Sequence, residues 1–338
     1  MSAMSNAEKF ATRYLHEAVK RQFDAQVSGL IRITKKDGGI DIDLRDGYGM
    51  TALMWAAGRG FTNIASILLE NEADVEAGND LLSMRAIEYL ETGGDDFGWN
   101  DERLGKLTAN RLHGWTAIAW AARNGQSEIV SLLLDRGANV NAMTKDGFTA
   151  LVHALEMKHR DTANLLLERG ANPTLEVGGS SPSLMYASRH GFLEIVQAIL
   201  DRGGSIDATD SFGQHALWNA VVNNHAEVVT LLLERGSNAN TIGAGGESWT
   251  LLHNAAADDT LEIAKMLLDY GADIDFRING EGVTALQAAL YKMGGLRVAR
   301  LLIERGANID GALETAERFR DQPEAEEIVK LLKDRAGS

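Results

Sequence analysis

The sequence predicts an all-α repeat solenoid, built from helix-turn-helix units that are joined by β-hairpin-like finger loops. Three observations predict it. A short phrase recurs seven times along the chain, an apolar helical stripe follows each copy, and a glycine turn ends most of the stripes. Such self-similarity at a period of about 33 residues is typical of repeats that stack in one dimension, each contacting only its neighbours.

Each unit begins with a short helix. The copies of its phrase start at residues 51, 116, 149, 182, 215, 250 and 284, so the steps between them are 65, 33, 33, 33, 35 and 34 residues. Thr116-Ala-Ile-Ala-Trp-Ala-Ala122 shows the pattern, with a Thr that can cap the helix, apolar residues, and a small pair. The small pair predicts a close contact between neighbouring first helices, because side-chain size sets the distance between packed helices.

A longer second helix follows after a tight turn, which we place around Gly60, Gly125 and Gly191 in three of the units. In Ile129-Val-Ser-Leu-Leu-Leu134 the apolar residues fall at i, i+1, i+4 and i+5, which is one stripe of an α-helix. Asp135-Arg-Gly-Ala-Asn139 then ends the helix. Its glycine suits a left-handed C-cap, and its Arg is expected to face the negative end of its own helix.

Two segments carry a resemblance to a known family. Gly49-Met-Thr-Ala-Leu-Met-Trp-Ala-Ala57 and the segment from Gly125 to Asn141 resemble the ankyrin-repeat family, which has a 33-residue period and a T-P-L-H-x-A signature. The departures are that Ala, Ser or Leu follows the opening residue in place of proline, and that the signature histidine stands only at His253. The resemblance covers residues 41 to 77 and 113 to 311, and it implies an ankyrin-type solenoid.

The remaining segments are expected to cap or interrupt the array. Residues 6–40 look like a worn first repeat that caps the N-terminal end, 41–77 is one ankyrin repeat, 113–311 holds six more, and 312–335 forms C-terminal capping helices. Residues 78–112 account for the long step of 65. They are either a degenerate repeat that still stacks or an acidic insertion that projects from the fingers, and both interpretations stay open.

The composition excludes several classes of protein. Hydrophobic residues make up 45% of the 338-residue chain, so global disorder is excluded. Lysine plus arginine number 33 against 48 aspartate plus glutamate, and the net charge of -15 disfavours nucleic acid and anionic membranes as partners. No signal peptide or transmembrane segment is evident, so we expect a cytoplasmic protein, with the nucleus as the other compartment that fits.

No motif predicts catalysis, a metal site or a cofactor. Asp96-Phe-Gly98 has the letters of the kinase metal-binding triplet, yet no glycine-rich loop and no His-Arg-Asp loop accompany it. Cysteine is absent, which excludes thiolate metal sites, and no pair among the eight histidines has the spacing of zinc ligands. We therefore expect a protein that is not an enzyme and holds no cofactor.

The resemblance implies that first helices and finger loops line a concave groove. The position before the small pair, and those three and four residues later, share one face of the first helix. The position before each opening residue lies near a finger tip. Trp, Tyr and Arg carry most of the energy at protein interfaces, and they occur here mainly in the N-terminal two thirds. The predicted partner-binding residues are Met50, Trp55, Arg59, Trp115, Trp120, Arg123, Asn124, Phe148, His153, Tyr186, Arg189, His190 and Trp249.

Two functional interpretations follow. The first is a protein-protein interaction module, an adaptor, scaffold or inhibitor that binds a protein or peptide in the groove. The alternative is a nucleic-acid or nucleotide-responsive regulator that uses the strip of arginine and aromatic residues. An ordinary solenoid surface, with each indole packed partly on the neighbouring repeat, would give the same residue pattern. The sequence leaves the partner's identity and the oligomeric state open.

Overall fold

The computed structural model describes residues 14–36, 41–46, 49–79, 114–144, 147–175, 182–209, 213–243, 249–277, 282–291, 295–318 and 323–336. The chain divides into two compact units, Met1–Pro173 and Thr174–Ser338, which we call unit 1 and unit 2. The interruption at 78–112 lies outside the described residues except for its first two positions. Among the described residues, no helix is both long and apolar enough to cross a membrane.

Unit 1 consists of helix pairs. Its helices are α1 (residues 14–20), α2 (Asp24–Lys36), α3 (Ala52–Arg59), α4 (Thr62–Glu70), α5 (Ala117–Arg123), α6 (Ser127–Asp135), α7 (Ala150–Glu156) and α8 (Arg160–Glu168). The first helices α3, α5 and α7 pack in sequence, and the second helices α4, α6 and α8 pack in sequence behind them.

Unit 2 repeats the arrangement. Its helices are α9 (Pro182–His190), α10 (Leu193–Asp201), α11 (Ala216–Val222), α12 (Ala226–Glu234), α13 (Leu251–Ala257), α14 (Leu261–Asp269), α15 (Ala285–Tyr291), α16 (Leu296–Glu304), α17 (Ala312–Glu317) and α18 (Pro323–Ala336). The first helices α9, α11, α13 and α15 pack in sequence, and α17 and α18 pack against α15 and α16.

The apolar stripe of each second helix and the small pair of each first helix form the core. Ile129, Val130 and Leu133 of α6 are fully buried, and so are Ala121 and Ala122 of α5. The side chains of Thr51, Thr149 and Thr250 accept a hydrogen bond from the backbone N–H three residues later, which caps the helix as the sequence predicts. Thr116 stands at the N-cap of α5 with extended backbone angles, but its side chain makes no capping hydrogen bond, so that prediction was wrong. The predicted fold class is therefore confirmed at the level of helix pairs.

A residue with left-handed φ forms the turn inside most helix pairs. It is a glycine in three of them, Gly60, Gly125 and Gly191, and Lys158, Asn224 or Asp259 in three others. Gly125 has a left-handed φ of 70°, and a Cβ added to it would lie 2.5 Å from Nδ1 of His159. The imidazole of His159, from the next repeat, therefore lies directly against the Gly125 backbone. The predicted glycine stops are also left-handed, with φ of 89° at Gly137 and 90° at Gly170.

The finger loops contain only short antiparallel contacts. Among the described residues there is no strand, but three isolated bridges join the two sides of a finger: Met143 with Thr149, Thr209 with His215, and Ile242 with Thr250. Each bridge ends where a first helix begins, so the finger sets the direction in which that helix leaves the loop.

The arginines at the glycine stops differ from the expectation. They were expected to face the end of their own helix, but three of them reach the Asp that ends the second helix of the preceding repeat. The pairs are Arg169–Asp135, Arg235–Asp201 and Arg305–Asp269, each at 2.8 Å. The Asp carboxylate offers the guanidinium a full negative charge and a fixed hydrogen-bond geometry. The C-terminal end of a helix offers only about half a negative charge.

Candidate functional site

The predicted binding face is far more buried in unit 1 than the sequence suggests. Six of the predicted residues are at most 7% exposed: Met50, Trp55, Trp115, Trp120, Arg123 and His153. Arg59, Asn124 and Phe148 are half-buried. The aromatic and arginine side chains were expected to look into the groove, and in unit 1 they largely pack on one another.

One cluster in unit 1 is aromatic. The ring centroid of Trp115 lies 4.0 Å from that of His153 and 4.9 Å from that of Trp120. Phe148 meets His153 edge-on at 5.8 Å. Trp115 was expected at a finger tip as an exposed anchor. It is instead fully buried, because its indole lies over the first helix of the following repeat and stacks on the imidazole there.

The charge in this cluster is balanced internally. The guanidinium of Arg123 lies 3.0 Å from Oε2 of Glu156 and 5.7 Å from the Trp115 ring. The Arg123 side chain is 5% exposed and that of Glu156 is 20% exposed. Desolvated charges need such a partner, so this arginine serves the packing of two repeats.

A second cluster surrounds Trp55. Its indole N–H donates to Oδ2 of Asp46 at 2.9 Å, and Nζ of Lys20 lies 3.2 Å from the same oxygen and 4.4 Å from the ring. Arg59 lies over the ring at 5.6 Å and donates to the Lys20 carbonyl at 2.8 Å. Two cations and a carboxylate therefore fix this tryptophan between the N-terminal helices and the first full repeat.

The predicted residues of unit 2 are more accessible. Arg189 is exposed, and Tyr186, His190 and Trp249 are half-buried. The rings of Tyr186 and His190, one helical turn apart on α9, stack at 6.5 Å with an interplanar angle of 17°. Tyr186, Arg189 and His190 lie on the first helix α9, and Trp249 lies in the finger loop before α13.

His253 joins a finger to a first helix in unit 2. Its Nε2 lies 2.9 Å from the Val283 carbonyl, and its Nδ1 lies 2.7 Å from the Thr250 hydroxyl. A carbonyl can only accept, so Nε2 carries the proton and Nδ1 accepts from the hydroxyl. Burial lowers the pKa of His253 from 6.5, and the hydrogen bond to Val283 opposes that shift without cancelling it. This histidine is therefore a neutral structural group.

Sequence reasoning missed five exposed large apolar side chains among the described residues of unit 2. Tyr270, at the end of the second helix α14, is 46% exposed, and the other four lie on first helices or finger loops: Val222, Ile242, Val283 and Tyr291 are 40%, 44%, 41% and 70% exposed. Val222 and Tyr291 directly follow the small pair of their helices, the position at which the sequence analysis did select arginines, so the repeat register could have identified them. Trp218, in contrast, occupies an interior position of the repeated phrase, which predicts a core residue. It is half-buried, and its ring lies against Gly243, where a Cβ would overlap it.

Comparison with known proteins agrees with this architecture. The family model for ankyrin repeats matches residues 15–95, 86–177, 180–243 and 240–312. A Rickettsia bellii (strain RML369-C) protein described as an ankyrin repeat protein is 37% identical over 112 residues, which are 31% of this chain and 32% of that protein. The matched region thus spans about a third of that relative.

Two solved structures are similar in fold. The human ASB11 ankyrin repeat domain has a TM-score of 0.56 at 25% identity, over 77% of this chain and 99% of that one. The ankyrin repeat domain of Bcl-3, a member of the IkappaB protein family, has a TM-score of 0.52 at 23% identity, over 75% of this chain and 97% of that one.

Proposed function

Because the chain belongs to the ankyrin-repeat family, whose repeats are generally protein-protein interaction modules, we propose that it binds a protein or an extended peptide through its first helices and finger loops. In this role it is an adaptor, scaffold or inhibitor. The proposed function uses no catalytic group, metal or cofactor of its own.

The observation that supports this proposal is a uniform core position beside a position that varies from repeat to repeat. The first residue of the small pair is alanine in all seven repeats and is at most 1% exposed: Ala56, Ala121, Ala154, Ala187, Ala220, Ala255 and Ala289. The residue two positions later differs in almost every repeat: Gly58, Arg123, Glu156, Arg189, Val222, Ala257 and Tyr291. Packing dictates the first position. At the second position Gly58, Arg123 and Ala257 are buried, whereas Arg189, Val222 and Tyr291 are exposed and can vary to suit a partner.

The nucleic-acid alternative loses support in unit 1. Arg123 is paired with Glu156, and Arg59 donates to the Lys20 carbonyl and lies over Trp55. Both cations are thus engaged within the unit, while a nucleic acid needs several cations that can release counterions from phosphates. A protein partner requires only a mixed polar and apolar surface, which the half-buried and exposed side chains of α9 supply.

A peptide-display selection tests the proposal. A random linear peptide library is selected on the immobilised full chain, and recovered peptides are measured against the wild type and against Arg189→Glu. We expect binding peptides that lose about tenfold in affinity in this variant, because exposed arginines on such a face are common hot spots. The matched control is Gln197→Glu, an exposed position on the second helix α10.

Two results would contradict the proposal. One is a chain that selects no peptide from the library. The other is a chain that binds single-stranded RNA or DNA at low salt more tightly than any selected peptide. A comparable loss of peptide affinity in the Gln197→Glu control would contradict the assignment of binding to the first helices, but it would leave peptide binding itself in place.

A further inference from the structure

An apolar surface is exposed along unit 2. It comprises Val222 on α11, Ile242 and Val283 on two finger loops, and Tyr291 at the end of α15, and we call these four residues the apolar finger surface. All four lie on the first helices or finger loops of three consecutive repeats, which are the elements that the proposed function assigns to binding. Isolated exposed apolar side chains are ordinary, whereas groups of them mark interaction sites.

The two finger residues of this surface flank one aromatic cluster. The Trp218 ring lies on Gly243, the residue after Ile242, and the Gly243 N–H donates to the Trp249 carbonyl at 2.9 Å. The rings of Trp249 and Phe276 lie 6.1 and 6.3 Å from that of His253, which also meets the Val283 carbonyl. The finger backbone at or next to Ile242 and Val283 is therefore held by contacts with aromatic side chains, and such contacts reduce the conformational freedom that is lost when a partner binds.

The two helical residues of the surface occupy the same place in their repeats. Val222 and Tyr291 each follow the small pair, and Ala257 holds that position on α13, which packs between α11 and α15. Ala257 is small and 5% exposed, so it protrudes less than Val222 and Tyr291 at the equivalent positions of α11 and α15.

Unit 2 as a whole is acidic. Unit 2 has 24 aspartate and glutamate residues against 14 lysine and arginine residues, counted over 174–338. Asp258, Asp273 and Asp275 are exposed, the last of them beside Phe276 of the aromatic cluster. Arg277 in the same loop is half-buried and donates to the Gly282 carbonyl at 3.1 Å, so its guanidinium is engaged locally.

We infer that unit 2 docks a basic segment of another protein, whose apolar side chains cover the apolar finger surface and whose lysines or arginines meet the acidic residues around it. This inference rests on the proposed function and adds the chemistry of the partner. Charge complementarity raises the association rate and excludes acidic competitors, while the apolar contacts provide most of the affinity.

Three synthetic peptides of equal length test the chemistry. The first alternates lysine with leucine and phenylalanine, the second has glutamate at every lysine position, and the third has serine at every apolar position. Fluorescence anisotropy with the full chain should show the first peptide binding at least about tenfold more tightly than either of the others. Its affinity should fall as salt is raised, because exposed charges are screened.

A matched pair of variants tests the location. Ile242→Ser combined with Val283→Ser should weaken binding of the basic peptide at least about tenfold, the loss typical of apolar anchors at an interface. The control is Met143→Ser in unit 1, because Met143 bridges Thr149 as Ile242 bridges Thr250 and is 47% exposed. All three positions are exposed, so thermal unfolding should remain close to wild type.

The outcomes separate this inference from the proposed function. Equal or tighter binding of the glutamate peptide overturns the inference, and so does an equal loss in Met143→Ser and in the double variant. Either result leaves the selection of library peptides by the full chain unaffected. Only failure of that selection removes the proposed function itself.

Discussion

At the residue scale, the contact between His159 and Gly125 shows how one repeat is seated on the previous one. A Cβ at Gly125 would meet the imidazole at 2.5 Å, whereas a Cβ at Gly170 would meet nothing within 4 Å, although both residues have left-handed φ. Gly170→Ala should therefore lower the free energy of unfolding only by the strain of a left-handed alanine, about 1 kcal/mol. Gly125→Ala should cost about 1 kcal/mol more, measured by denaturant unfolding.

A rescue variant checks the cause of that difference. His159→Ala removes the ring that the added Cβ would meet, so Gly125→Ala should cost no more than Gly170→Ala in this background. A Gly125→Ala cost that is unchanged in the His159→Ala background would show that the histidine does not set the spacing of the two repeats.

Ala121 tests the register of the small pair. It is fully buried at the contact between first helices, so Ala121→Asp places an unpaired carboxylate in the core and should lower the free energy of unfolding by about 3 kcal/mol or more. Gln197→Asp introduces the same side chain at an exposed helical position and should cost less than about 0.5 kcal/mol. Similar denaturation midpoints for the two variants would contradict the assignment of Ala121 to the core.

His253 predicts how stability depends on pH. Its pKa is lowered in the folded state by burial, so below about pH 6.5 the unfolded chain takes up a proton that the folded chain resists. The neutral ring thus makes its full contribution to the stability of the fold above that pH, and this contribution is lost as the pH falls. Unfolding measured between about pH 7.5 and 5.5 should show a shallower decline in His253→Gln than in wild type. Parallel curves for the two proteins would contradict this account.

At the scale of the element, the apolar stripe of a second helix outweighs the ion pairs on its outside. Leu133 is fully buried, and Leu133→Ala should cost about 3 kcal/mol. The Arg169–Asp135 pair has side chains that are 35% and 60% exposed, so a double-mutant cycle should give a coupling of about 0.5 kcal/mol. A coupling larger than the Leu133→Ala cost would reverse this ranking.

The elements were largely predictable from the sequence. Stripes such as Ile129 to Leu134, the glycine stops and the Thr caps are local signals. The structure forms a helix at the stripe, left-handed turns at the glycine stops, and side-chain caps at three of the Thr residues but not at Thr116. The exposure of the binding face was less predictable. Whether Trp115 faces solvent depends on the imidazole that the next repeat places 4.0 Å away, and that contact joins residues 38 positions apart.

At the scale of the whole molecule, the repeated sequence determines the architecture and only the varied positions carry information about a partner. The first residue of the small pair is alanine in every repeat, whereas the residue two positions later changes from arginine to glutamate, valine and tyrosine. The acidic excess is also uneven, with a larger share in residues 174–338 than in 1–173. These variations direct our account to the first helices and fingers, and within unit 2 to a basic partner.

Hydrogen exchange on the full chain, with and without a saturating selected peptide, tests this central claim most directly. Binding slows amide exchange where it orders or covers the backbone. The account predicts slower exchange in the finger loops and first helices of unit 2, around Ile242, Val283 and Tyr291, with no change in the second helices α10, α12 and α14. Protection confined to those second helices would contradict the account.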